Sequence, residues 1–201
     1  MNDNFAHRAA EWDSPEKTKM TEIFVASMLK QIKPLSTWKA LEIGAGTGLV
    51  GMQMAHLVDA VVFEDTSAAM LDVLKQKLND DSKAEIVHGE VYDYTRKDID
   101  LIFSCMALHH VPDIDKTLQH LATITNTGAT VVIGDLRTEN GSFHRFEPIP
   151  HRGFDTDILS EQFRKAGFEV ISSDTYNVLS RERTVGVVTK YEQFLLVATK
   201  L

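Results

Sequence analysis

Over residues 15–32 the chain places Met20, Ile23, Phe24, Ser27, Met28 and Gln31 at helical spacing. Ser14 stands as an N-cap ahead of Pro15, so the pattern predicts one amphipathic helix over 15–32. Beyond Pro34 the period changes. Residues 39–43 (KALEI) form a short apolar run that ends in glycines, and 49–57 return to helical spacing, which predicts strand, tight turn, helix. The alternation then repeats: strands at 60–63, 84–87 and 101–105, helices at 67–78 and 113–125, a strand at 129–133, a loop to about 153 and a helix at 155–166. Strands alternating with helices imply a parallel sheet covered on both faces, joined by right-handed crossovers. The end of the chain differs. Residues 168–172 and 193–198 are strand-like with no helical segment between them, only a loop over 176–190, so they are expected to pair antiparallel at the sheet edge. The expected fold is α/β: a single-domain, doubly wound, mostly parallel seven-stranded sheet with an antiparallel edge strand. It spans residues 1–201, with 1–34 as an N-terminal helical segment and no repeat or linker.

A chain of 201 residues, 43% hydrophobic, can bury one good core. Its formal net charge of -8 opposes attraction to phosphate backbones, which disfavours a nucleic-acid partner. Cys105 is the only cysteine, which excludes an intramolecular disulfide and fits a reducing cytoplasm. The opening residues are polar where a signal peptide needs an apolar run, and no stretch is long and apolar enough to cross a bilayer. A soluble, cytoplasmic monomer or homodimer is the expectation.

Candidate chemistry begins at the first strand's end. Glu42, Gly44, Ala45, Gly46 and Gly48 lie where a doubly wound sheet binds a nucleotide-like ligand, and the glycines let backbone and ligand approach closely. A dinucleotide fingerprint needs its third glycine after an intervening pair, and Leu49 stands at that place, which argues against NAD.

The segment LEIGAGTG resembles the first motif of the class I S-adenosylmethionine-dependent methyltransferase family, and the resemblance extends along most of the chain. It implies S-adenosylmethionine as cofactor and methyl transfer to a small-molecule acceptor by in-line displacement. EDTSAAML is similar to the family segment after the second strand; Asp65 would then take the two ribose hydroxyls, with Thr66, Ser67 and Met70 beside it and Glu64 as the register alternative. HGEVYDY falls where the family places an acidic residue on the adenine amine and a backbone amide on the ring, here Glu90 and Val91, although aspartate is commoner at the first position. DLIFSCMALHHVPD resembles the segment that lines the methionine end, which puts Ser104, Cys105 and Met106 near the sulfonium.

A sulfonium methyl is already activated, so the enzyme mainly aligns the acceptor, excludes water and removes a proton where one is present. His110 and His144 are the candidate catalytic residues, with His109 and His151 in similar positions after strand ends. DLRTENGSFH resembles a stretch found in a poorly characterised group of these methyltransferases, with Asn140 in place of an aspartate. No metal is expected, because adjacent histidines point differently on a helix and no pair has i, i+4 spacing. FAHRAAEWD also resembles this group, which implies that the leading segment covers the cofactor and that Trp12 or Phe5 offers the sulfonium an aromatic face. The fourth strand lacks the Asn/Asp-Pro-Pro-aromatic segment of enzymes that methylate planar amines, and one cysteine disfavours arsenic methylation. A nucleotide-dependent oxidoreductase and a non-catalytic, regulatory S-adenosylmethionine-binding module stay open as alternatives.

Overall fold

A computed structural model describes residues 6–79 and 83–201; Phe5 lies outside them. Seven strands form one sheet in the order β3-β2-β1-β4-β5-β7-β6. Strands β1 (Lys39–Ile43), β2 (Ala60–Asp65), β3 (Ala84–His88), β4 (Ile99–Cys105) and β5 (Thr125–Leu136) run parallel. Strand β7 (Val187–Lys200) is reversed, pairing antiparallel with β5 on one side and with the outermost strand β6 (Phe168–Thr184) on the other. The antiparallel pair at the edge is as expected.

The period of two along each strand feeds two cores. Leu41, Ile102, Val131 and Ile133 face a cluster completed by Leu118 and Leu121 of α4 (Ile114–Ile124) and Leu159 and Phe163 of α5 (Thr156–Lys165). Their neighbours Ala40, Leu101, Phe103 and Val132 face Phe24 and Met28 of α1 (Pro15–Gln31) and Leu71 and Leu74 of α3 (Ala68–Lys77). Both faces are therefore covered. Helix starts follow their caps: Ser14 Oγ accepts from the Lys17 amide at 3.3 Å, and Asp155 Oδ1 accepts from Asp157 and Ile158.

Two expected elements change. The helix predicted over 49–57 shrinks to a single turn, α2 (Gly51–Met54), flanked by looser turns. Its first residue is wedged: a Cβ on Gly51 would stand 2.3 Å from Phe63 and 2.4 Å from the Glu42 carboxylate. The loop predicted over 176–190 is instead the outer half of a long hairpin, with Val178 opposite Glu192 and Thr184 opposite Val187. Gly186, at φ 75°, takes the left-handed conformation that the tight reversal needs. This arm was hidden because its apolar residues Val178, Val187 and Val188 are exposed and so do not mark a buried face.

Strand order reverses beside β1, which opens a crevice where the carboxyl ends of β1, β2 and β4 stand level: Ile43 pairs with Glu64 on one side and with Ser104 on the other.

Candidate functional site

The glycine loop leaves β1 with Gly44, Gly46 and Gly48 at φ 66°, 55° and 81°, conformations that side chains rarely adopt. Gly44 is pressed against the exit of β4, since a Cβ there would lie 2.3 Å from that of Ala107. Above Gly46 the nearest atom to such a Cβ would be Trp12 Nε1, at 3.7 Å. The loop thus has the β4 exit on one side and the N-terminal segment over it. Ala45 is buried, and its amide donates to the Glu64 carbonyl at 2.8 Å, tying the loop to β2.

The three carboxylates take different places. Glu42 is buried and accepts from the Gly51 amide at 2.9 Å, and burial pushes its carboxyl well above the usual range. Glu64 is also buried; burial first, then the Asp65 charge, pushes it up to about 8, against a long bond from the Gly44 amide. Asp65 alone is partly open, and its two oxygens accept from the Gly46 amide at 2.6 Å and the Ser67 amide at 2.8 Å.

Other expected cofactor residues are placed unevenly. Thr66 is exposed beside Asp65, and Met70 is buried with its amide donating to Ser67 Oγ at 3.2 Å, the N-cap of α3. Ser104 is fully buried and its hydroxyl donates to the Ile43 carbonyl at 3.1 Å, which commits it to joining β4 to β1. Met106 leaves β4 at φ 58° with its amide donating to Gly134 O at 2.8 Å. Glu90 is exposed and its amide is capped by Asp93, while the Val91 side chain packs into the core. Trp12 reaches the loop, but the Lys17 ammonium stands over its ring, 3.0 Å from the centroid. One face of the ring therefore already carries a cation of the chain itself. Burial, then the Arg8 charge, lowers Lys17 to about 8, and Asp13 partly offsets them.

Asp13, which the sequence pattern leaves without a role, fastens this segment. It accepts from the Thr47 hydroxyl and from the Lys77 ammonium, and Lys77 also donates to the Thr47 carbonyl at 2.8 Å.

The histidines behave differently from expectation. His109 and His110 lie on a 3-10 turn, Leu108–His110, and their rings do not diverge: the centroids are 4.2 Å apart. The loop after β5 brings His144 to 4.9 Å from His109 and 5.4 Å from His110. Asp135, fully buried at the end of β5, takes the His109 amide at 3.0 Å and its Nδ1 at 2.6 Å, and also the Leu136 amide at 2.7 Å. Burial, reinforced by its two histidine neighbours, lowers His110 to about 4. His151 stands apart from the cluster; its Nε2 donates to the Val111 carbonyl at 3.0 Å and fixes the loop against the 3-10 turn. No periodicity signals this meeting, which depends on two loops.

Residues 41–133 match the family model described as a methyltransferase domain. A demethylmenaquinone methyltransferase of Clavibacter sepedonicus is 26% identical over 136 residues, covering 67% of this chain and 53% of that protein. An uncharacterized methyltransferase of Oceanobacillus iheyensis is 25% identical over 152 residues, covering 73% and 69%. The chain thus spans about half the length of the first of these relatives. Among solved structures, a Haloferax volcanii methyltransferase in complex with the Trm112 activator superposes with a TM-score of 0.79 at 17% identity, covering 99% and 98%. A phosphoethanolamine N-methyltransferase of Haemonchus contortus, solved with S-adenosyl-L-methionine, gives 0.72 at 18% identity, covering 88% and 52%. The chain is thus similar over residues 41–133 to a methyltransferase domain, and its fold is that of the methyltransferase structures it superposes on.

Proposed function

We propose that this chain transfers the methyl group of S-adenosylmethionine to a small-molecule acceptor, with His110 and His144 on the acceptor's side of the crevice. The observation that carries this is the contact between Gly44 and Ala107, which makes the cofactor loop continuous with the turn bearing the histidines. The residues fit such a cofactor: the loop around Gly46 is open enough for a ligand, Asp65 is the accessible carboxylate, and Trp12 closes over the loop. When bound, the cofactor supplies a methyl on a sulfonium, ready for displacement. Glu42, Gly44, Ala45, Gly46 and Gly48 shape its cradle, Asp65 and Thr66 receive the ribose, Glu90 and Val91 meet the adenine, and Met70, Ser104 and Met106 line the rest. Several of these act through the backbone or by packing, given where their side chains go.

A small acceptor agrees with the relatives, whose names specify a demethylmenaquinone and a phosphoethanolamine as methyl acceptors. Chain residues exclude water and hold the acceptor in line, the main requirement of a displacement at an activated methyl. Calorimetry with S-adenosylmethionine, its demethylated product, NAD and NADP tests the cofactor; comparable or tighter dinucleotide binding would sink the reading. His144→Ala is expected to cut turnover on the true acceptor at least about tenfold while leaving cofactor affinity unchanged.

A further inference from the structure

The geometry points to a divalent transition-metal site in which His109, His110 and His144 each supply one imidazole nitrogen and the acceptor's heteroatom takes the remaining position. One ring nitrogen from each lies within 4.8 Å of the other two, the one such His, Cys or acidic group of three or more among the described residues. A tetrahedral zinc ion, bound at about 2.0–2.1 Å, sets its nitrogens about 3.4 Å apart, a closure of about 1.4 Å at most. The half-buried His110 and His144 can supply it by side-chain rotation, while His109 is fixed.

What fixes His109 is the second observation. Asp135 already accepts the backbone amides of His109 and Leu136, so it is the acceptor toward His109 Nδ1 as well. Nδ1 therefore donates to Asp135, and Nε2 is the nitrogen left for a metal. A buried carboxylate orienting an imidazole in this manner is the usual support of a metal-bound histidine. Its negative charge also offsets part of the ion's in a site where Asp135 and His109 are both almost wholly out of water.

The third observation is how firmly the contributing loop is held. His151 binds the 3-10 turn twice, through its ring to Val111 O at 3.0 Å and through its amide to His109 O at 3.2 Å. On the other side of His144, the Ser142 hydroxyl meets the Tyr191 hydroxyl at 2.7 Å, and the Phe143 ring stacks edge-on against Tyr191. Both flanks of His144 are thereby anchored to different elements, which presents it to the other two rings. Three imidazole donors with a position left over suit Zn(II) and similar ions. That open position would take an oxygen, nitrogen or sulfur of the acceptor, and only this identification of the fourth ligand rests on the methyltransferase reading.

The test uses the full-length chain, stripped with a chelator and titrated with Zn²⁺, and with Co²⁺ to read ligand geometry from its visible absorption. One equivalent of either metal is expected, with the band intensity of a four-coordinate Co²⁺ site. His110→Ala and His144→Ala should each weaken binding at least about a hundredfold, Asp135→Asn about tenfold to a hundredfold, and the exposed His56→Ala not at all. Asp135→Asn carries the greatest risk of misfolding, so circular dichroism accompanies each variant and the half-buried His144→Ala decides alone if the others unfold. Substoichiometric metal, or full affinity in a folded His144→Ala protein, overturns the site. Calorimetry of S-adenosylmethionine on the metal-free chain separates the two readings: cofactor binding without metal binding overturns the metal site alone, and metal binding without cofactor binding overturns the proposed function alone.

Discussion

Neighbouring carboxylates on one strand end, Glu64 and Asp65, face opposite environments, and that difference assigns their work. Glu64 points into the sheet's packing, while Asp65 stands at the crevice and holds the Gly46 and Ser67 amides. Asp65→Ala should therefore weaken S-adenosylmethionine binding more than Glu64→Ala, because charge-assisted bonds of about 1.5–3 kcal/mol each are lost with it. Calorimetry decides, and equal effects would place the ribose elsewhere. Glu64 carries a different prediction. Its folded-state pKa, about 8, lies above the unfolded value near 4.5, so its proton stabilises the fold fully below about pH 4.5 and this contribution is lost as pH rises through about 8. Glu64→Gln removes the titration: in urea unfolding between about pH 5 and 8, its stability should fall less steeply than the parent's, by up to about 1 kcal/mol per pH unit. Glu42, whose carboxyl burial also raises, keeps part of the slope in the variant. Parallel curves for the two proteins would show that Glu64 is ionised in the fold.

Among the elements, the shortened α2 is the most informative, because contacts hold its first residue where propensity would not choose it. The Gly51 amide donates to Glu42, and its α-carbon approaches Phe63 so closely that no Cβ fits. Alanine, the best helix former, should be harmful here: Gly51→Ala is expected to cost about 1–3 kcal/mol in chemical denaturation, since it overpacks the site against buried side chains. A stabilised variant would mean that Phe63 and Glu42 move aside without cost. The β6–β7 hairpin shows the converse. Its outer half continues the backbone pairing from Val178 opposite Glu192 to the turn at Gly186, with only Tyr191, near its base, buried among its described residues.

At the scale of the whole molecule, the N-terminal segment is fastened to the glycine loop by Asp13, which binds Thr47 and Lys77, while Ala9 is buried. Asp13→Ala should speed S-adenosylmethionine dissociation in stopped-flow by no more than about fivefold, since a partly exposed ion pair contributes about 1 kcal/mol or less. Unfolding should be nearly unchanged, because this segment lies outside both cores. An unaltered dissociation rate would show that the segment does not cover the cofactor.

The alternation of strands and helices, the glycine loop and the edge pair were all legible in the sequence, because each is a local pattern: apolar periods of two or 3.6 and glycines where φ turns positive. The choice of Asp65 over Glu64 rests on the spacing of the family segment it resembles, and in the fold Glu64 is buried while Asp65 is partly open. What no local pattern carries is contact across the chain. Asp13 meets Thr47 and Lys77 over 34 and 64 residues, and Lys17 finds Trp12 because the chain turns between them at Ser14. Asp135 reaches His109 over 26 residues, through strands β4 and β5 lying side by side. His144 joins that pair only because its loop is fastened at both ends. The sequence determined the sheet and the cofactor loop through short-range sterics and burial; the histidine cluster and the fastening of the N-terminal segment were decided by tertiary packing, which alone brings distant polar groups together out of water.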